Sequence, residues 1–74
     1  MNTLDKSIFK TLRENYLAAV RDMALFPEDD PRHQGGERLA ASASHTAFSL
    51  FGAAAADKLR EEGLTEWDRI RTLA

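Results

Sequence analysis

Over the first third of the chain, apolar side chains recur at helical spacing. At about 100° per residue, Ile8, Phe9, Leu12, Tyr16, Ala19, Val20, Met23 and Phe26 fall on one stripe roughly 120° wide. Lys6, Lys10, Arg13, Glu14 and Arg21 fall outside it. The pattern predicts an amphipathic helix over residues 3–25. Asn2 or Thr3 is placed to cap it, and Asp5 lies in the first turn, where the helix dipole favours an anion. Pro27 disfavours helix at Phe26 and ends the pattern. Leu17 and Leu25 lie off the stripe and are available to a second surface.

The next segment, FPEDDPRHQGG, reads as a connection over residues 26–36. Two prolines and a Gly-Gly pair punctuate it, and an Asp before Pro31 suits the cap of a short turn. About ten residues exceeds the roughly 2–8 usual between packed helices. A connection longer than the joint requires is a hint of function.

From Leu39 to Ala56 the chain reads LAASASHTAFSLFGAAAA, without one charged side chain. Ala is the best helix former, and Gly63 is well placed as a C-terminal cap, so a long helix is expected over residues 37–62. That helix is apolar on two sides. Ala41, Ser44, Phe48, Phe51, Ala55 and Leu59 make one face; Leu39, Ala43, Ala47, Leu50 and Ala54 make the other. Gly52 in mid-helix costs about 1 kcal/mol against Ala, which points to close approach by another backbone. Beyond Gly63, Thr65 and Asp68 resemble a capping box opening a short helix over residues 65–73. Trp67, Ile70 and Leu73 share its apolar side.

The expected fold is therefore all-α: a long helical hairpin plus a short C-terminal helix. A helix apolar on two sides is normally buried on two sides. Two hairpins pairing into a four-helix-bundle-like homodimer satisfy this, with Ala43, Ala47, Leu50, Gly52 and Ala54 at the self-association face. In the alternative, a monomer, the last helix covers the second face. A membrane span is disfavoured. Eighteen uncharged residues reach about 27 Å, short of a hydrocarbon core, and His45 and several hydroxyls raise the insertion cost.

Seventy-four residues make one domain, near the size at which a single core is marginal. There is no Cys, which excludes disulfides and fits a reducing compartment. The N-terminal residues carry charges every few positions and lack a signal-peptide apolar run, so a cytoplasmic location is expected. The net charge of −2, with both signs interspersed, argues against a nucleic-acid partner.

Candidate chemistry is sparse. Glu28, Asp29, Asp30 and His33 lie close in sequence, but nothing resembles the repeated His or Cys of a zinc site, and a solvated acidic loop is the simpler reading. His45 lies mid-helix, where a two-fold axis would bring it to its own copy; a packed neutral histidine is the simpler reading. Ser42, Ser44 and Ser49 sit in a helix without a nucleophile elbow, and Gly35-Gly36 lacks a phosphate-loop context. No enzyme, cofactor or metal site is expected.

Elimination leaves a small non-catalytic regulator or inhibitor that docks on a larger protein. Its candidate contact residues are the loop group Glu28, Asp29, Asp30 and Arg32, and the terminal group Trp67, Arg69 and Arg71, because Trp and Arg dominate interface energetics. The alternatives are a helix-turn-helix-like DNA-binding regulator turning at Gly63, or a small accessory subunit of a larger complex. Glu66 and Asp68 at the start of the would-be recognition helix oppose DNA binding.

Overall fold

The computed structural model describes residues 2–73 and contains three helices of nearly equal length: α1 (Thr3–Leu25), α2 (Pro31–Phe51) and α3 (Ala53–Leu73). The first helix has the expected bounds. Asn2 caps it, its Oδ1 accepting the Asp5 backbone N–H at 2.8 Å. At the far end, extended backbone at Phe26 turns the chain out ahead of Pro27.

The connection expected over residues 26–36 is only residues 26–30. Asp30 is an N-cap whose side chain accepts the Arg32 N–H at 2.8 Å, and Pro31 occupies the first turn, where its missing N–H costs nothing. Gly35 and Gly36 therefore lie inside α2, not in a loop. Gly36 is buried against α1: a Cβ there would stand 2.8 Å from the Ala19 carbonyl oxygen and 3.1 Å from Met23 Cγ. Gly35 has open space around it.

The single helix expected over residues 37–62 is broken at Gly52. This residue has φ 91° and ψ −178°, a combination essentially confined to glycine. Its N–H still bonds to the Phe48 carbonyl at 2.9 Å, and α3 starts at the next residue. A Cβ on Gly52 would meet nothing within 4 Å, so the residue serves a dihedral angle, not close approach. Close approach belongs to Gly36 and Gly63. Gly63 is no C-terminal cap; it is buried in the middle of α3, where a Cβ would fall 2.5 Å from Tyr16 Cε1. Thr65 is likewise no cap, its hydroxyl donating to the Glu61 carbonyl one turn back. The short helix expected over residues 65–73 is the second half of the 21-residue α3.

Contacts along the chain set the helix directions. His33 meets Phe26, Gly36 meets Ala19 and Met23, and Phe51 meets Phe9, so α2 runs antiparallel to α1. Arg13 meets Glu62, Gly63 meets Tyr16 and Val20, and Arg21 meets Glu66, so α3 runs parallel to α1. The result is an up-down-up bundle measuring 38 × 23 × 18 Å.

Its core is built mostly from small residues. Ala19, Ala40, Ala43, Ala47 and Ala56 are buried beside Val20, Leu59 and Ile70, and Leu59 is the largest side chain fully out of solvent. Small side chains let helix axes approach toward the lower end of the usual separation of about 8–10 Å. The two-sided burial expected of residues 37–62 resolves within one chain. Ala43 and Ala47, 4% and 0% exposed, lie in this core and not on a self-association face. Ala40, Ala43 and Ala47 share a helical stripe with Gly36 and Phe51, both of which pack on α1, so the chain covers its own alanines. His45 is exposed.

Three glycine substitutions separate these roles. Gly35→Ala should stabilise the protein by about 0.5–1 kcal/mol through helix propensity and loss of unfolded-state freedom. Gly36→Ala should destabilise it by about 1–3 kcal/mol, because a backbone oxygen blocks the new methyl. Gly52→Ala should cost about 1–3 kcal/mol through backbone strain alone. Urea denaturation of the three variants checks the signs; equal effects at residues 35 and 36 would contradict the assigned packing.

Candidate docking groove

Where α2 turns into α3, an open groove of about 570 Å³ runs between the N-terminal halves of α1 and α3. Its floor is apolar: Phe9 from α1, Phe51 at the end of α2, and Ala54 and Ala55 from the first turn of α3. The Phe9 and Phe51 rings meet edge to face with centroids 6.0 Å apart. The gap exists because alanines begin α3 opposite Phe9, so the helices meet there without a large side chain between them.

The rim is basic. Lys6, Lys10 and Arg13 line one wall at spacings of four and three, a single stripe along α1, and Lys58 lines the other with its Nζ 6.0 Å from the Phe9 ring centre. The one acid lining the groove, Glu62, is ion-paired to Arg13. Lys6, Lys10 and Lys58 take part in no ion pair among the described residues. Local charge is therefore positive in a chain whose net charge is −2.

Beside the groove, the same end of the bundle leaves large apolar side chains in water. Leu4 is 67% exposed, and Phe48 and Leu50 are 56% exposed each. Of the five residues expected at a self-association face, Leu50, Gly52 and Ala54 lie at this end, while Ala43 and Ala47 are internal.

The other candidate residues are divided between two places. At the α1–α2 connection, Asp30 and Arg32 are engaged with each other: the guanidinium bonds both carboxylate oxygens, at 3.0 and 2.7 Å, and stacks over the Phe26 ring at 3.7 Å. The Arg32 guanidinium and backbone N–H together hold the Asp30 carboxyl down to about 2. Glu28 and Asp29 remain exposed. At the far end of α3, Trp67 is half-buried and Arg71 lies 5.3 Å over its ring. Arg69 and Arg21 both bond Glu66, holding that carboxyl down to about 2. The turn at Gly63 that a helix-turn-helix requires is absent, since α3 continues through it.

His33 is buried, not a member of a solvated loop. Its Nδ1 lies 2.9 Å from the Phe26 carbonyl oxygen and its Nε2 3.0 Å from a Glu37 carboxylate oxygen. Both partners only accept, so the ring is suited to donate from both nitrogens as the imidazolium. The Phe26 carbonyl, then Glu37, the Met23 carbonyl and Glu28, raise its pKa against the opposing effect of burial. His33 thus ties the start of α2 to the end of α1. No group of three His, Asp or Glu among the described residues is placed to hold a metal ion, and no helix there is long and apolar enough to cross a membrane.

No protein-family model matches the chain, and comparison with curated proteins and with solved structures finds no match. The groove went unseen in the sequence because its walls are more than forty residues apart. The Lys6–Lys10–Arg13 stripe beside Phe9 was its one local signal.

The titrating groups set a pH window. The His33 contribution is complete below its unfolded value of about 6.5 and is lost as pH rises through its higher folded value. The Asp30 and Glu66 contributions are complete above their ordinary carboxylate values and are lost as pH falls toward about 2. The melting temperature should therefore be highest between about pH 5 and 6.5. In His33→Gln the fall on the alkaline side should flatten; an unaltered alkaline limb would contradict the His33 assignment.

Proposed function

We propose that the chain is a small non-catalytic regulator or inhibitor that works by docking on a larger protein, as a homodimer. The observation that carries this reading is the apolar end of the bundle. Leu4, Phe48 and Leu50 stand in solvent there, around a groove floored by Phe9 and Phe51. Several large apolar side chains exposed at one end of a bundle, beside an apolar-floored groove, suit an interaction site. Elsewhere among the described residues the exposed large apolar side chains, Leu25, Leu39, Leu64 and Leu73, flank no groove with an apolar floor of this size, and the surface carries ion pairs such as Arg60–Asp57 and Arg69–Glu66.

Size supports the same reading. A standard interface takes about 800 Å² from each partner, roughly a sixth of this chain's 5045 Å². The whole Gly52 end, not one or two side chains, is then the unit of recognition. Leu50 and Gly52 stay in the proposed self-association face, joined by Leu4 and Phe48, whereas Ala54 lies in the groove beside it, which is left open for the larger protein.

The test is a double variant, Phe48→Asp with Leu50→Lys. Both side chains are mostly exposed, so the variant should still fold and melt within about 4–8 °C of the parent, in line with two surface substitutions of about 0.5 kcal/mol each. Sedimentation equilibrium should show a dimer for the parent chain and a monomer for the variant. A parent chain that is monomeric at every concentration removes the homodimer. A variant that is still retained by the same protein target as the parent removes this end as the docking surface.

A further inference from the structure

We infer that the α1/α3 groove receives an acidic amphipathic helix from the partner protein. This rests on the docking function proposed above and names the chemistry of the partner.

Shape comes first. The groove is a furrow open to solvent, and the α3 side of its floor is made by Ala54 and Ala55. Small side chains on one wall admit a helix ridge to close range. A lipid tail or other small apolar ligand is instead usually enclosed on most of its surface, which this furrow does not offer. A helix laid between α1 and α3 would set leucine-like side chains, spaced three, four and seven apart, onto Phe9 and Phe51.

Charge identifies the flanks. Lys6 and Lys10 stand one turn apart on one wall and Lys58 stands on the other. Carboxylates on both edges of an incoming helix would meet them. The groove's own acid is already held by Arg13, so it does not neutralise the lysines. The neighbouring acids are Asp5 and Glu14 on α1 and Asp57 and Glu61 on α3; Asp57 is paired with Arg60, Glu61 lies beside Asp57 and Arg60 outside the groove lining, and none of the four is paired to a groove lysine. A basic helix would be repelled, which provides selectivity as well as attraction.

The experiment is selection from a displayed library of amphipathic helices about 15 residues long, long enough to hold helical structure when docked. Leucines are fixed on one face and the flanking positions are randomised among Glu, Lys, Gln and Ala. The parent chain should enrich Glu over Lys at the flanks at least tenfold. The variant Lys6→Glu/Lys10→Glu/Lys58→Glu should lose or invert that preference, and its melting temperature shows that it is folded. A selected peptide should bind the parent more weakly as salt rises.

No preference for Glu, or a preference that survives the triple reversal, overturns the proposal. So does lysine-dependent binding of phosphatidylserine vesicles or duplex DNA without acidic enrichment, which would assign the same cations to a different partner. The parent reading fails separately. If the Phe48→Asp/Leu50→Lys variant loses its protein target while the lysine variant keeps it, docking at this end stands and the acidic-helix inference falls. If both variants keep it, both fall.

Discussion

One backbone dihedral decides the architecture. Residues 39–56 would make a continuous helix by propensity, and only Gly52, at φ 91°, interrupts them. Its ψ of −178° lies where a Cβ is not tolerated, so no other residue serves as well. With the turn in place, α3 lies back along α1, and Arg13, Tyr16, Val20 and Arg21 acquire partners more than forty residues away. Without it, residues 31–73 would form one rod about 65 Å long, and Leu59, Gly63 and Ile70 would lose the bundle that buries them. The return of α3 onto the bundle therefore hangs on a single glycine.

The second constraint is proximity. A core of five alanines with Val20, Leu59 and Ile70 buries little area per residue, and the chain is short. Such a core depends on dense van der Waals contact rather than on bulky side chains. Gly36 and Gly63 supply it by letting Ala19 and Tyr16 sit where a Cβ would stand. Each glycine gives up about 1 kcal/mol of helix propensity in exchange for contact along a whole helix face. The ion pairs on the outside are at least partly exposed and add little individually. Their value lies in fixing the α1–α3 register, since Arg13 and Arg21 each find an acid on α3 in the same order along the chain.

Local signals in the sequence were read correctly where local physics decides. The helix over residues 3–25 and its Asn2 cap follow from periodicity and a capping side chain, and both are present. The all-helical class follows from composition and spacing. What failed was the meaning of the glycines. A glycine between helical stretches is compatible with close approach, with a cap or with a positive φ, and sequence alone does not separate these. Mid-helix position suggests the first role for Gly52, which has the third; placement after Lys58 and Arg60 suggests the second for Gly63, which has the first. The bounds 37–62 and 65–73 shifted with those assignments, and so did the placing of Ala43 and Ala47 on an outer face. His33 was read as loop because Gly-Gly followed it, although Asp30-Pro31 is itself a helix start. The groove is a tertiary product. Phe9, Lys58 and Ala54 share nothing in sequence until the turn at Gly52 has been made.

That dependence links stability to the proposed function. The alanines that follow Gly52 favour an immediate restart of the helix, and they also leave the space opposite Phe9 unfilled. A leucine at residue 54 or 55 would close that space and bury more apolar area within the chain. The sequence instead keeps small residues beneath a rim of lysines. Those lysines repel one another across a furrow that, among the described residues, contains no unpaired acid. Both features oppose the stability of the isolated chain, and both are relieved by the same occupant, an apolar ridge flanked by carboxylates. Surface that is locally suboptimal in two independent ways, with one remedy for both, is the physical signature expected of a binding site.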